Sequence, residues 1–205
     1  MTVNFSEKNK CVFIHANKTA GRSISMALFG NVREHLTIKE LFNLQFDKPE
    51  KEKRLEKCRT DYRYQLLKKY WDHYFKFLII RNPWDRKLSD FFFGKREGIV
   101  KENTDFTTYI RNNHLNNDLW NSPCLNWVED KDGNIDKNIF IGKFENLQED
   151  FNFICDKIGI ERKKLPHINS TTHSSYWEYY NDETKEMIGE KYKKDIDFFN
   201  YVFGK

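Results

Sequence analysis

Lys18, Thr19, Ala20, Gly21, Arg22 and Ser23 stand in a row between a short apolar run and a stretch with helical spacing. A lysine, two hydroxyls and small residues that open the backbone suit one chemistry, the holding of an anion. A helix that starts at this row adds its free N–H groups and its positive dipole end to the same point. That is a phosphate cradle. The same residues also make an ordinary βα turn with a solvated lysine. The row is not a Walker A loop, because Lys18 precedes the glycine and Gly21 stands alone.

A second group begins at Arg81 in the run Arg81-Asn82-Pro83-Trp84-Asp85-Arg86-Lys87-Leu88-Ser89. Asn82 suits an N-cap and Pro83 a first helical residue, which puts Arg81 at the carboxyl end of a strand. Ser89 then falls about two turns into the helix. A guanidinium fork and a hydroxyl at that place suit a second phosphate group.

The elements that position these residues follow from hydrophobic spacing. Cys11–Ile14, Phe75–Ile80 and 138–144 are the predicted strands, apolar enough for a buried parallel sheet. The carboxyl-end edge of such a sheet is where open α/β folds bind ligands. Ile24, Ala27 and Leu28 mark a helix ended by Gly30. Leu147, Phe151, Ile154 and Ile158 mark another over 145–158, closed by Gly159. Further helices are predicted over 37–44, 53–74 and 182–194, with Ile196, Phe198, Phe199 and Phe203 docking the last onto the sheet. Phe91-Phe92-Phe93 and the face Phe106, Tyr109 and Ile110 read as core. Residues 112–126 and 165–173 read as loops, and residues 1–10 as a frayed terminus.

Phe13-Ile14-His15-Ala16-Asn17-Lys18-Thr19-Ala20-Gly21-Arg22-Ser23-Ile24 resembles the 5′-phosphosulfate loop of the sulfotransferases, particularly their carbohydrate branch. The Arg81–Arg86 run with Ser89 resembles that family's 3′-phosphate motif. Phe140-Ile141-Gly142-Lys143-Phe144-Glu145-Asn146-Leu147 with Asp150-Phe151 resembles its third block, and Asp195-Ile196-Asp197-Phe198-Phe199 with Tyr201 its C-terminal signature. The resemblance implies one sulfotransferase-like domain over residues 1–205. Its implied fold is α/β, a P-loop-NTPase-like three-layer sandwich with a central, mainly parallel sheet flanked by helices.

It further implies 3′-phosphoadenosine 5′-phosphosulfate (PAPS) as donor, adenosine 3′,5′-bisphosphate (PAP) as product, no metal, and a saccharide acceptor. Lys18 would stabilise the leaving phosphate. Thr19, Ala20, Gly21, Arg22 and Ser23 would hold the 5′ end of the nucleotide, and Arg81 and Ser89 its 3′-phosphate. Relatives commonly carry Thr or Ser at the position of Arg22, and often Arg at that of Lys143. His35 is the leading candidate for general base, since it follows the first helix where several relatives carry theirs. His15 reads as structural; His114, His173, Asp85 and Glu97 are weaker candidates. Two other readings are a nucleotide-binding module without transfer activity and a small-molecule kinase, the latter opposed by the missing Walker patterns.

Composition sets the outer limits. The 205 residues include 39% hydrophobic and 16% aromatic side chains, enough for a folded core. Lys and Arg number 35 against 31 Asp and Glu, a net +4 that suits an anionic ligand but not a nucleic-acid-binding tail. Cys11, Cys58, Cys124 and Cys155 are far apart and read as buried free thiols. The six histidines show no metal-ligand spacing. Neither a signal-peptide pattern nor a membrane-spanning run is visible, which leads to the expectation of a cytoplasmic protein.

Overall fold

The computed structural model describes residues 5–30, 69–113, 121–130, 132–166 and 174–205. It divides into two compact units, Met1–Ile80 with Asn126–Ile168, and Arg81–Leu125 with Asn169–Lys205. Among the described residues the helices are α1 (Gly21–Phe29), α2 (Pro83–Arg96), α3 (Phe106–Asn113), α4 (Leu147–Ile158), α5 (Asp182–Lys191) and α6 (Lys193–Phe199).

The first unit holds the sheet. Its strands are β1 (Phe5–Ser6), β2 (Cys11–Ile14), β3 (Phe75–Ile80) and β4 (Ile139–Lys143), neighbours in that order. β2, β3 and β4 are parallel, with Ile14 beside Leu78 and Ile80 beside Lys143, while β1 runs antiparallel to β2. The fold is therefore α/β with a mainly parallel sheet, as expected of a P-loop-like sandwich. Phe5 and Ser6 correct the expectation of a frayed terminus over residues 1–10. Phe5 pairs with Val12 and stacks on Tyr74 at 6.4 Å, so the sheet edge orders it.

Alternation along the strands divides the sheet into two faces. Cys11, Phe13, Phe77 and Ile79 pack with Ile24 of α1 and with Phe151, Ile154 and Cys155 of α4. The opposite face carries Val12, Ile14, Lys76, Leu78 and Ile80, which are buried as well. Burial on both faces is why these strands read as nearly unbroken apolar runs. Lys76 is the interruption. Its ammonium lies 2.8 Å from the Asp136 carboxylate and 5.1 Å from the centre of the Trp71 ring.

Gly30 and Gly159 end α1 and α4 as expected. The block joining β4 to α4 has a steric reason. Asp150 of α4 accepts a hydrogen bond from the Lys143 backbone N–H at 2.5 Å, and a Cβ on Gly142 would stand 2.7 Å from Ile79 Cδ1.

The second unit is helical. Trp84, Leu88 and Phe91 of α2 cluster with Phe106, Tyr109 and Ile110 of α3, and with Tyr176, Ile188 and Tyr192. The single helix expected over 182–194 is two, separated at the buried Tyr192. Ile196 and Phe203, expected on the sheet, pack into this cluster instead, and Phe198 is exposed. The helix expected over 37–44, that over 53–74 up to residue 68, and the loop 167–173 lie outside the described residues.

Phe77 is fully buried and stacks on Phe13 at 4.9 Å. Phe77→Ala is expected to cost about 3–5 kcal/mol of stability in urea denaturation. A loss near zero would exclude it from the core.

Candidate functional site

In the first unit β2 ends at Ile14, and His15 follows it into the interior. The imidazole is buried and stacks on Phe13 with ring centres 5.1 Å apart. The chain then turns sharply through Asn17–Ala20. Lys18 and Ala20 both take left-handed backbone, at φ 60° and 62°. L-residues adopt that region at a cost, and in turns it aims N–H groups toward one concave side suited to anions. The fully buried Thr19 donates its hydroxyl proton to the Ala16 carbonyl at 3.0 Å. Its side chain therefore helps to shape the loop.

Gly21 is the first residue of α1, and its place is set by contact. A Cβ there would stand 1.5 Å from His15 Nε2, so only glycine lets the helix begin against the imidazole. Ala20 supplies no side-chain cap, and the first turn holds no acidic residue. The helix start therefore has no carboxylate of its own first turn to compete for its N–H groups and positive dipole end. Arg22 is exposed, Ser23 is buried and Lys18 is half-buried. Lys18 to Ser23 thus share one loop and one helical turn.

In the second unit Asn82 and Pro83 start α2 as expected. Asn82 Oδ1 accepts from the Trp84 N–H at 3.1 Å. Arg81 is 9% exposed, and its Nε donates to Asp85 Oδ2 at 2.8 Å. Ser89 lies half-buried along α2. The remaining residues of the run hold the unit together. The Asn82 amide donates to the Tyr176 hydroxyl at 3.2 Å and the Val202 carbonyl at 3.3 Å. Trp84 Nε1 donates to the Lys185 carbonyl at 3.0 Å, and the Tyr180 hydroxyl donates to the Trp84 carbonyl at 2.8 Å.

Sequence reasoning missed the buried charges of α2. Arg86 donates to Cys124 Sγ at 2.9 Å and to the Ser122 carbonyl at 2.7 Å, with the Asp195 carboxylate 4.0 Å away. Asp195 in turn accepts from the Cys124 and Leu125 backbone N–H groups at 2.5 and 3.0 Å. Burial pushes its carboxyl above the usual range, against the pull of those N–H groups and of Arg86. Burial also pushes the Cys124 thiol up to about 12, so it stays neutral. Lys87 is buried nearby, donating to Asn121 Oδ1 at 2.5 Å and Asp90 Oδ2 at 3.1 Å. The signals in the sequence were the place of Arg86 in the 3′-phosphate-like run and the match of Asp195 to a C-terminal block.

Cys11, Cys124 and Cys155 are free and buried, as expected. Among the described residues no group of acidic, His or Cys side chains is arranged to hold a metal. Of the candidate bases, His35, His114 and His173 lie outside the described residues, as does Cys58 among the thiols. Asp85 and Glu97 are ion-paired with Arg81 and Arg96. No described helix is long and apolar enough to cross a membrane.

A family model described as "Sulfotransferase family" matches residues 1–202. An uncharacterized protein of Archaeoglobus fulgidus is 30% identical over 113 residues, which are 53% of this chain and 88% of that relative. No solved structure matches.

The contact between Gly21 and His15 is open to test. Gly21→Ala is expected to destabilise the fold by about 1–3 kcal/mol through overpacking. His15→Ala in the same chain is expected to recover part of that loss. Strictly additive losses in thermal denaturation of the single and double variants would show that the two positions do not touch.

Proposed function

The chain belongs to the sulfotransferase family, and on that premise we propose that it moves a sulfuryl group from PAPS to a hydroxyl or amine of a saccharide. The observation that carries the reading is the loop before α1, where left-handed Lys18 and Ala20 lead into a helix start with neither side-chain cap nor acidic residue. Such a start favours negative charge, and the glycine that opens it permits close approach. The 5′ end of the nucleotide fits these residues.

PAPS, when bound, supplies the activated sulfuryl group and leaves as PAP. Lys18 neutralises charge that builds on the departing phosphate, which stabilises the transition state more than the ground state. Backbone at Thr19, Ala20 and Gly21, with Arg22 and Ser23, holds the 5′ end. Arg81 and Ser89 hold the 3′-phosphate, the group that separates this donor from ATP and AMP. His35 takes the acceptor proton as general base. In this reading residues 1–205 act as one sulfotransferase-like domain.

PAP is expected to raise the melting temperature far more than AMP does. Equal shifts would remove the 3′-phosphate assignment. Lys18→Ala is expected to lower transfer from labelled PAPS at least about 10²-fold with the fold retained, and His35→Ala by about 10²–10⁴-fold. Unchanged turnover in either variant would end that residue's role. Tight PAP binding without transfer to any saccharide would instead identify a nucleotide-binding module.

A further inference from the structure

Three aromatic rings follow one another on one face of the sheet and end against the start of α1. Phe77 stacks on Phe13 with ring centres 4.9 Å apart and planes 14° apart, and Phe13 stacks on His15 at 5.1 Å and 18°. All three residues are buried. Phe13 and Phe77 are partners in the parallel pairing of β2 with β3. His15, two residues on, continues the face of Phe13. The stack therefore carries the position of the sheet out to the imidazole and holds that ring in one plane.

The imidazole meets α1 edge-on. The atoms nearest to a Cβ built on Gly21 are Nε2, Cδ2 and Cε1 of His15, so this residue rests against one edge of the ring. Gly21 lies in helical backbone that any residue adopts, so the ring rather than a dihedral angle bars a side chain there. Its bare side is turned toward the ring, and the ring sets how deep the first turn of α1 sits. The Thr19 hydroxyl, bonded to the Ala16 carbonyl, closes the turn between ring and helix. That first turn carries the N–H groups given above to the 5′ end of the nucleotide. Contacts of this kind need placement to within about 0.5 Å by side chains that packing has locked.

We propose that His15 is a positioning residue for the donor: its imidazole is the stop against which the first turn of α1 seats, and it thereby sets the grip on the 5′-phosphate end of the nucleotide. The inference rests on the assignment of this loop to the 5′ end.

Calorimetric titration of the full chain with PAP and with adenosine 3′-monophosphate tests it, because the ratio of the two affinities reads the 5′ contact. The wild type is expected to prefer PAP. His15→Ala is expected to reduce that preference about tenfold, because the first turn of α1 loses its seat. Its affinity for adenosine 3′-monophosphate, which brings no 5′-phosphate to the loop, is expected to stay within about twofold of wild type. Adding Gly21→Ala to His15→Ala puts a methyl group where the ring edge stood, and is expected to recover about threefold of the lost preference. Should His15→Ala fail to melt cooperatively, His15→Val, which stops short of the Nε2 position, takes its place in the single and double variants with the same expected changes. An undiminished preference in the single variant, equal losses for both nucleotides, or no recovery in the double variant would overturn the positioning role. A wild type that binds the two nucleotides equally would overturn the assignment of the loop to the 5′ end instead.

Discussion

The parallel pairing of β2 with β3 is the constraint from which the rest follows. Ile14 lies beside Leu78, so the chain leaving β2 enters its loop within two residues of the level at which β3 ends. That register is enforced by side chains rather than by hydrogen bonds alone. Shifting either strand by one residue would turn Phe13 or Phe77 away from the helices that cover them. The loop that carries Lys18 is thereby fixed at the carboxyl edge of the sheet, where strand dipoles contribute little and a helix start contributes most.

The motif residues divide their work unevenly. In the loop after β2, Thr19 and His15 face inward, one closing the turn and the other forming the surface against which α1 begins. In the run after β3, Asn82, Trp84 and Arg86 are all committed to contacts inside the helical unit. A run that reads as a phosphate motif is thus mostly architecture, and its two candidate ligand contacts are Arg81 and Ser89. Arg86 illustrates the cost of such architecture. A buried guanidinium is tolerable only with its hydrogen bonds met, and here a carbonyl, a thiol, a carboxylate and the face of Tyr192 surround it.

Much of this was legible locally. Strand limits came from unbroken apolar runs, the start of α2 from Asn-Pro, and the ends of α1 and α4 from glycine, because each depends on a few adjacent residues. The left-handed turn at Lys18 and Ala20 was not legible, since neither residue favours that backbone and only the surrounding fold imposes it. The inward role of Thr19 was hidden for a related reason, as a hydroxyl's partner is decided by loop shape. Partners distant in sequence were out of reach altogether. Nothing near Arg86 announces Asp195, and nothing near Phe203 announces that it packs beside Trp84 at 5.4 Å.

Lys76 gives the sheet a safeguard against misassembly. Its ammonium is neutralised only where β3 sits between Val12 and Ile139, with Asp136 in reach. Slide the strand one step, and the charge swings among the phenylalanines on the other face, away from Asp136. The single cation in an oily strand thus works as a lock that accepts one alignment, trading a little favourable burial for the exclusion of every neighbouring one.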